Sequence, residues 1–446
     1  MDYISAVRYV DSFVNFEKIP KYQYAEAFRL ERMNAILEEL GNPHNDTRFI
    51  HVAGSKGKGS TCAIAAYILK EAGYKVGLYT SPHLVDSRER IRILHKSNEV
   101  DGFEGMIREE EFVELIEEIK PVAEKFRDCE DFGKVSFFEI LTACAFLYFN
   151  KKKVDAAILE TGLGGRLDAT NVVMPLACAI TNINLEHTDK LGDTLSKIAY
   201  EKAGIVKDGG LVVSAKQEKE TADVIRKACQ EKKAKLCEIG RGIKYSIVSS
   251  DERRQVFNLE GPGYSYKDLE MNLIGAHQAE NASLAIGMLK SSDKLNIGET
   301  DIRNGLKRAA WPGRLQIIQK DPYVVLDGAQ NPASISALME SVKALFRYKK
   351  LICVFGISSD KDIKGVCNIL DKSCDIIILT KAKDNQRAAD IPALKENFQN
   401  FRPDLEECPA IDKAVQKALS LAHKEDLILI TGSLFIVGDA MGYLKL

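Results

Sequence analysis

Short, unbroken apolar runs alternate along this chain with longer stretches whose apolar residues recur every three to four positions. Apolar runs open at residue 48 and cover 76–80, 156–161, 177–183 and 211–214, while helical spacing covers 61–72, 109–126 and 195–203. Gly73 is placed to stop the first of these helices. Alternation of this kind predicts an α/β fold, a mostly parallel sheet covered by helices on both faces. Between 238 and 268 the pattern breaks into short polar strand-like pieces, 245–248 and 254–259, which predict a small antiparallel addition. A helix carrying HQAENASLAIGMLK closes this half.

Proline and glycine interrupt the chain at Ala309-Ala310-Trp311-Pro312-Gly313, which places a domain boundary between 1–309 and 310–446. Beyond it a second α/β series follows, with continuous apolar runs at 323–326, 351–355, 376–380 and 427–431, as expected for strands buried on both faces. These runs end at Asp327, Gly356, Lys381 and Gly432, so the edge facing any cleft is polar. A chain of 446 residues exceeds the usual size of one hydrophobic core, which agrees with two domains.

Composition changes this picture little, apart from what it excludes. A net charge of −2 offers no basic field for nucleic acid or an anionic membrane, so anionic ligands must be held by local groups. The N-terminus, MDYISAVRYVDSF, has no leader pattern, and no run of 18 apolar residues occurs, which predicts a cytoplasmic location. Ten cysteines without a C-x-x-C read as buried thiols in a reducing compartment.

Candidate chemistry concentrates in the first half. The stretch RFIHVAGSKGKGST at 48–61 sets three glycines and two lysines between a strand and a helix, the layout that lets backbone N–H groups converge on a polyphosphate. It departs from G-x-x-x-x-G-K-[ST], because Gly59 separates Lys58 from Ser60, and a plain tight turn is the alternative. Glu160 closes an apolar run and precedes the glycine-rich TGLGGRLDATN, at the edge where open α/β sheets bind ligands; a carboxylate there suits Mg²⁺, or simply caps the loop. His187 stands just past another strand end, as a ligand or as a hydrogen-bonded structural residue.

The blocks GSKGKGS (54–60), TSPHL (80–84), FFE (137–139), ETGLGGRLDATN (160–171), NLEH (184–187), EKAGIVK (201–207), GAHQAENA (275–282), WPGR (311–314), DGAQNP (327–332) and DKD (360–362) occur in this order. Together they resemble the folylpolyglutamate synthase and dihydrofolate synthase family of the Mur ligase superfamily, over nearly the whole chain. The resemblance implies a P-loop ATPase domain followed by a smaller Rossmann-like domain, with ATP as co-substrate in the cleft between them and two Mg²⁺ ions as cofactors. It implies triphosphate contacts for Gly57, Lys58, Gly59 and Ser60, adenine contact for Asn281, and phosphate and ribose contacts for Arg314 and Asp327. Ser81, Glu160 and His187 match magnesium ligands, and Lys202 a lysine carried as its carbamate, N6-carboxylysine. Lys58, Glu160, His187 and Lys202 would form the catalytic group. The pterin side would involve Ala27, Phe28, Ser136, Phe137, Phe138, Glu139, Leu167, Asp168 and Ala169.

The implied activity is ADP-forming ligation of L-glutamate to dihydropteroate, a reduced folate, or both, by a cytoplasmic monomer. Where the family motif reads DGAHNP this chain has Gln330, which can donate and accept hydrogen bonds but cannot become a cation. A Mur-type cell-wall ligase and a nucleotide-dependent switch protein are the alternatives. The first generally carries an extra domain before the loop, for which the residues preceding Gly54 are too few, and the second would need no Glu160, His187 and Lys202 set.

Overall fold

The structure, a computed structural model, describes residues 1–19, 22–97, 103–129, 131–383, 385–398 and 404–444. Its first sheet has seven strands in the order Ile91–Leu94, Val76–Tyr79, Ala156–Glu160, Phe49–Ala53, Pro175–Ile180, Leu211–Ser214 and Lys235–Glu238. All neighbours run parallel except Ile91–Leu94, which pairs antiparallel with Val76–Tyr79. The central strand, Phe49–Ala53, is buried along its whole length. One face is sealed by an apolar cluster that includes Ile64, Ile68, Leu284 and Met288, contributed by the helices Lys58–Glu71 and Ala276–Ser291. A second cluster, around Phe137, Phe146 and Phe112, covers the other face.

Tyr264–Met271, Gln255–Gly261 and Lys244–Ser250 form a separate antiparallel sheet. Its strand Tyr264–Met271 escaped the sequence pattern because the register shifts between Tyr266 and Leu269, where Asp268 takes a left-handed backbone. The third sheet has six strands in the order Gln316–Gln319, Tyr323–Asp327, Leu427–Thr431, Leu351–Phe355, Ile376–Leu379 and Asp404–Glu407. It is parallel apart from its first strand, and apolar clusters cover both of its faces.

Two elements differ from the periodicity in a way that matters for function. The helix expected at 61–72 begins at Lys58, because Gly57 turns the chain with φ +90° and hands the first helical turn to the lysine. The run 177–183 splits: Pro175–Ile180 is strand, and residues past it leave the ladder so that the Asn182 carbonyl can accept from Ser55 N–H (3.0 Å) and Lys56 N–H (3.2 Å). Apolar character alone could not reveal that exchange of partners.

Candidate active site

A cleft of about 570 Å³ lies between the C-terminal edges of the two parallel sheets, lined by Gly57–Ser60, Glu160 and Asn182 on one side and by Arg314, Asp327 and Gln330 on the other. In its floor lies the loop 54–57. Gly57 is required there, since a Cβ would sit 2.2 Å from Asn281 Oδ1, and Gly59 because a Cβ would sit 2.6 Å from Trp311 Cζ2. Lys58, Gly59 and Ser60 occupy the first turn of their helix, where backbone N–H groups have no partner within the helix and are available to an anion. Asn281 reaches the same cleft, its amide steadied by Gln278 Oε1 at 2.9 Å.

Beside the loop, parallel pairing of Val52 with Glu160 brings the carboxylate to the same sheet edge. Glu160 accepts from Ser81 N–H (3.2 Å) and lies 3.9 Å from Lys58 Nζ. Burial raises its pKa, opposed chiefly by the Lys58 charge. Glu186 pairs with Lys56 at 2.5 Å, and its carboxylate lies 3.8 Å from His187 Nε2. Enclosure in the cleft, and then the cations Lys361, Lys202 and Lys58, push His187 down to about 3 against the opposing pull of Glu186, so the imidazole is neutral and able to ligate.

Lys202 does not line the cleft. It lies behind the loop at the end of the helix Leu195–Ala203, with its side chain buried, and donates Nζ–H to the Gly54 carbonyl at 2.7 Å. Burial first, and then Lys58, push its pKa down to about 7.

From the second domain, Asp327 accepts from Leu315 N–H (2.9 Å) and Ala329 N–H (2.8 Å), which fixes its carboxylate at the cleft. Arg314 lines the cavity, and its Nη1 donates to the Gly313 carbonyl at 3.0 Å. Gln330 lines the same wall at the start of the helix Pro332–Leu345, its backbone N–H on Ser334 Oγ.

The pterin-side candidates divide. Phe28 and Phe138 line the cleft, whereas Ser136 and Glu139 are occupied with each other as a capping box. Glu139 also receives Arg32 Nε at 2.8 Å in a buried ion pair. Phe137 is core beneath Arg90, with the guanidinium 5.2 Å from its ring centre, and Ala169 is core. Asp168 caps its own turn and accepts from Leu163 N–H at 2.9 Å, Leu167 packs on the Ile198 cluster, and the Ala27 carbonyl accepts from Arg32. These residues shape the loops around the cavity and do not line it.

Sequence reasoning missed other cleft residues. Phe16 and Tyr22 pack with Phe28 at centroid distances of 4.7, 5.5 and 6.0 Å into an aromatic wall, and Lys190 Nζ sits 4.7 Å over Tyr22. The stretch 15–28 has no periodicity, so nothing in it signalled this convergence. Lys56 and Lys361 stood inside the noted motifs without a role, and His277 and Arg387 also face the cavity.

Among the described residues no group of three His, Cys, Asp or Glu side chains is gathered to hold a metal. The oxygen donors at hand, the Glu160 carboxylate and the adjacent Ser81, nevertheless fit Mg²⁺, which takes few protein ligands and completes its shell with water and phosphate. A bare Lys202 amine adds no anionic oxygen.

Residues 135–289 match the Mur ligase middle domain, and residues 313–434 the Mur ligase, glutamate ligase domain. The chain is 36% identical over 420 residues to the dihydrofolate synthase/folylpolyglutamate synthase of Bacillus subtilis, covering 93% of this chain and 95% of that protein. The folylpolyglutamate synthase structure from Thermotoga maritima is similar at 33% identity and TM-score 0.84, covering 99% of this chain and 96% of the other. That of Mycobacterium tuberculosis, complexed with ADP and AMPPCP, is similar at 29% identity and TM-score 0.87, covering 99% and 98%.

Proposed function

The chain belongs to the dihydrofolate synthase/folylpolyglutamate synthase family within the Mur ligases, and from that premise we propose that it is an ATP-dependent ligase joining L-glutamate to the carboxylate of a reduced folate or of dihydropteroate. A carboxylate is a poor acylating agent, so ATP first phosphorylates it, and the glutamate amine then displaces phosphate from the acyl phosphate. The products are a new amide, ADP and phosphate. Residues 1–309 form the ATP-binding unit and residues 310–446 the glutamate ligase unit of a cytoplasmic monomer. No helix among the described residues is long and apolar enough to cross a membrane.

One observation carries this reading: the loop Gly57–Ser60, the carboxylate Glu160, the aromatic wall and the second-domain pair Arg314 and Asp327 all face one cavity. Lys58, the first-turn N–H groups and Arg314 neutralise charge on the transferring phosphoryl group, in a setting that needs no reorganisation when the charge shifts. Asn281 and Asp327 hold adenine and ribose from opposite sides. Phe16, Tyr22, Phe28 and Phe138 present flat apolar surface for the pterin and aminobenzoyl rings. A closed cavity keeps water from the acyl phosphate. Ser81, Glu160, His187 and a carbamate on Lys202 would hold two Mg²⁺ ions, which when bound supply further charge neutralisation of the phosphates.

The test is incubation of the purified protein with ATP, Mg²⁺, L-glutamate and either dihydropteroate or tetrahydrofolate. ADP release dependent on glutamate is expected, with a product heavier by one glutamyl residue. Failure of both pterin substrates to support ADP release would refute the reading.

A further inference from the structure

One wall of the cleft carries an N-terminal strap, residues 14–19, whose attachments the ligase reading leaves unexplained. Val14 bridges to Ser136 and its carbonyl accepts from Phe137 N–H at 2.9 Å, which stitches the strap to the start of the helix Phe137–Lys151. It then turns on Asn15, whose side chain accepts from Glu17 N–H at 3.0 Å, and Asn15, Phe16 and Glu17 line the cavity.

Glu17 is held from two directions. Its carboxylate receives both terminal nitrogens of buried Arg90, at 2.8 and 2.6 Å. Its carbonyl receives Nη1 of Arg387, from the second domain, at 2.7 Å. The guanidinium of Arg387 is aimed beforehand by its own domain: Asp360 takes Nη2 at 2.6 Å and Nε at 3.3 Å, and the Arg387 carbonyl accepts from Ser359 N–H at 2.7 Å. On the far side, Arg90 Nε donates to His83 Nδ1 at 2.9 Å, in the same turn as Ser81, whose N–H holds Glu160. A continuous polar chain thus runs from Arg387 through Glu17, Arg90 and the 81–90 turn to the carboxylate beside the phosphate loop. The turn also touches the second domain directly, since a Cβ at Gly438 would lie 2.0 Å from the Leu84 carbonyl oxygen.

We propose that Arg387 is a positioning residue that latches the second domain onto the strap through the Glu17 carbonyl, and so sets the aromatic wall and the 81–90 turn for the pterin-bearing substrate. The inference rests on the ligase reading for its substrate, and on geometry alone for the latch. Because Asp360 balances the arginine charge in either domain arrangement, opening the cleft exposes a neutral carbonyl and a paired cation, which makes the contact reversible at modest cost. The chain reaches the nucleotide side only at its far end, through Ser81 N–H on Glu160, whereas Glu17 adjoins Phe16 of the aromatic wall directly, so its loss falls on the pterin substrate more than on ATP.

Arg387→Ala is expected to raise KM for the pterin substrate about 10- to 100-fold, the range for a hydrogen bond from a charged donor, and to leave KM for ATP within about twofold. Arg387→Lys, which keeps a donor of similar reach, should recover part of the loss, and it replaces the alanine variant should that one not fold. Hydrogen exchange of the 14–19 amides, measured on the full chain without substrates, should quicken about tenfold or more in Arg387→Ala. Unchanged exchange, or KM values that rise equally for both substrates, would overturn the latch. Absence of ligation by the wild type would instead count against the ligase reading, and the exchange measurement would still decide the latch.

Discussion

Lys202 offers a prediction in which sign and size both come from the site. Its ammonium has been taken out of water behind the phosphate loop, close enough to Lys58 to feel its charge, with one carbonyl as partner, and its pKa falls from 10.5 to about 7. The unfolded chain keeps an ordinary lysine. Between about pH 7 and 10.5 the unfolded state therefore binds a proton that the native state does not, so this group makes stability rise with pH by about 1.4 kcal/mol per pH unit. Below about pH 7 both states are protonated and the cost of burying the charge is fully present, roughly 5 kcal/mol as an upper bound. Replacement Lys202→Met removes that pH-dependent contribution, while the orphaned Gly54 carbonyl adds only a constant offset. In CO₂-free buffer with chelator, urea unfolding of wild type and variant at steps from about pH 6 to about pH 9 should show the variant's relative stability greatest at the acid end. Above about pH 7 that advantage should shrink by about 1.4 kcal/mol per unit. A difference that stays flat across the range would refute a depressed lysine. The same neutral amine is the species that reacts with CO₂, so bicarbonate should stabilise the wild type further by trapping Lys202 as a carbamate, with the slope retained because carbamate formation from the ammonium releases a proton. Ligase activity should fall with Lys202→Ala and recover in part with acetate in the vacated ligand position.

Two further outcomes follow from the geometry of the cleft. Lys58→Ala should lower kcat by about 10²-fold or more with an unchanged circular dichroism spectrum, since in the proposed mechanism Lys58, 3.9 Å from Glu160, neutralises phosphoryl charge; near-normal turnover would remove it from the triphosphate site. In Arg387→Ala, whose second domain is released from the strap, saturation with an ATP analogue and folate should reduce the radius of gyration in small-angle scattering, if Arg314 and Asp327 reach the nucleotide from the far side of the Trp311 junction as proposed; an equal radius with and without ligands in that variant would refute closure on ligand.

How far the sequence carried these conclusions depends on how local each feature is. The parallel strands were legible because burial on both faces leaves unbroken apolar runs, and the loop because Gly57 and Gly59 must let Asn281 and Trp311 approach. Motif resemblance then placed Glu160, Arg314 and Asp327 at one cavity, where the structure also has them. It could not separate residues that face the cavity from those that brace it: Ser136, Glu139 and Asp168 share the motifs with Phe138, yet their polar atoms are spent on caps and on Arg32. Part of that distinction is local, since S-x-x-E at 136–139 is a capping-box pattern and Asp168 bonds within its own loop, whereas the Arg32–Glu139 pair joins distant segments that no local pattern encodes. The aromatic wall was illegible for the opposite reason, since Phe16, Tyr22 and Phe28 belong to no periodic element and acquire a common face only when the strap is tied to residue 137 on one side and to Arg387 on the other. On the proposed reading, the surface for the ring-bearing substrate is therefore built from irregular chain held by long-range bonds, and the surface for the triphosphate from a strand, a turn and a helix start. Substitutions that change which pterin is accepted should accordingly fall in the strap and its partners, and those that abolish nucleotide use in the loop and the strand ends beside it.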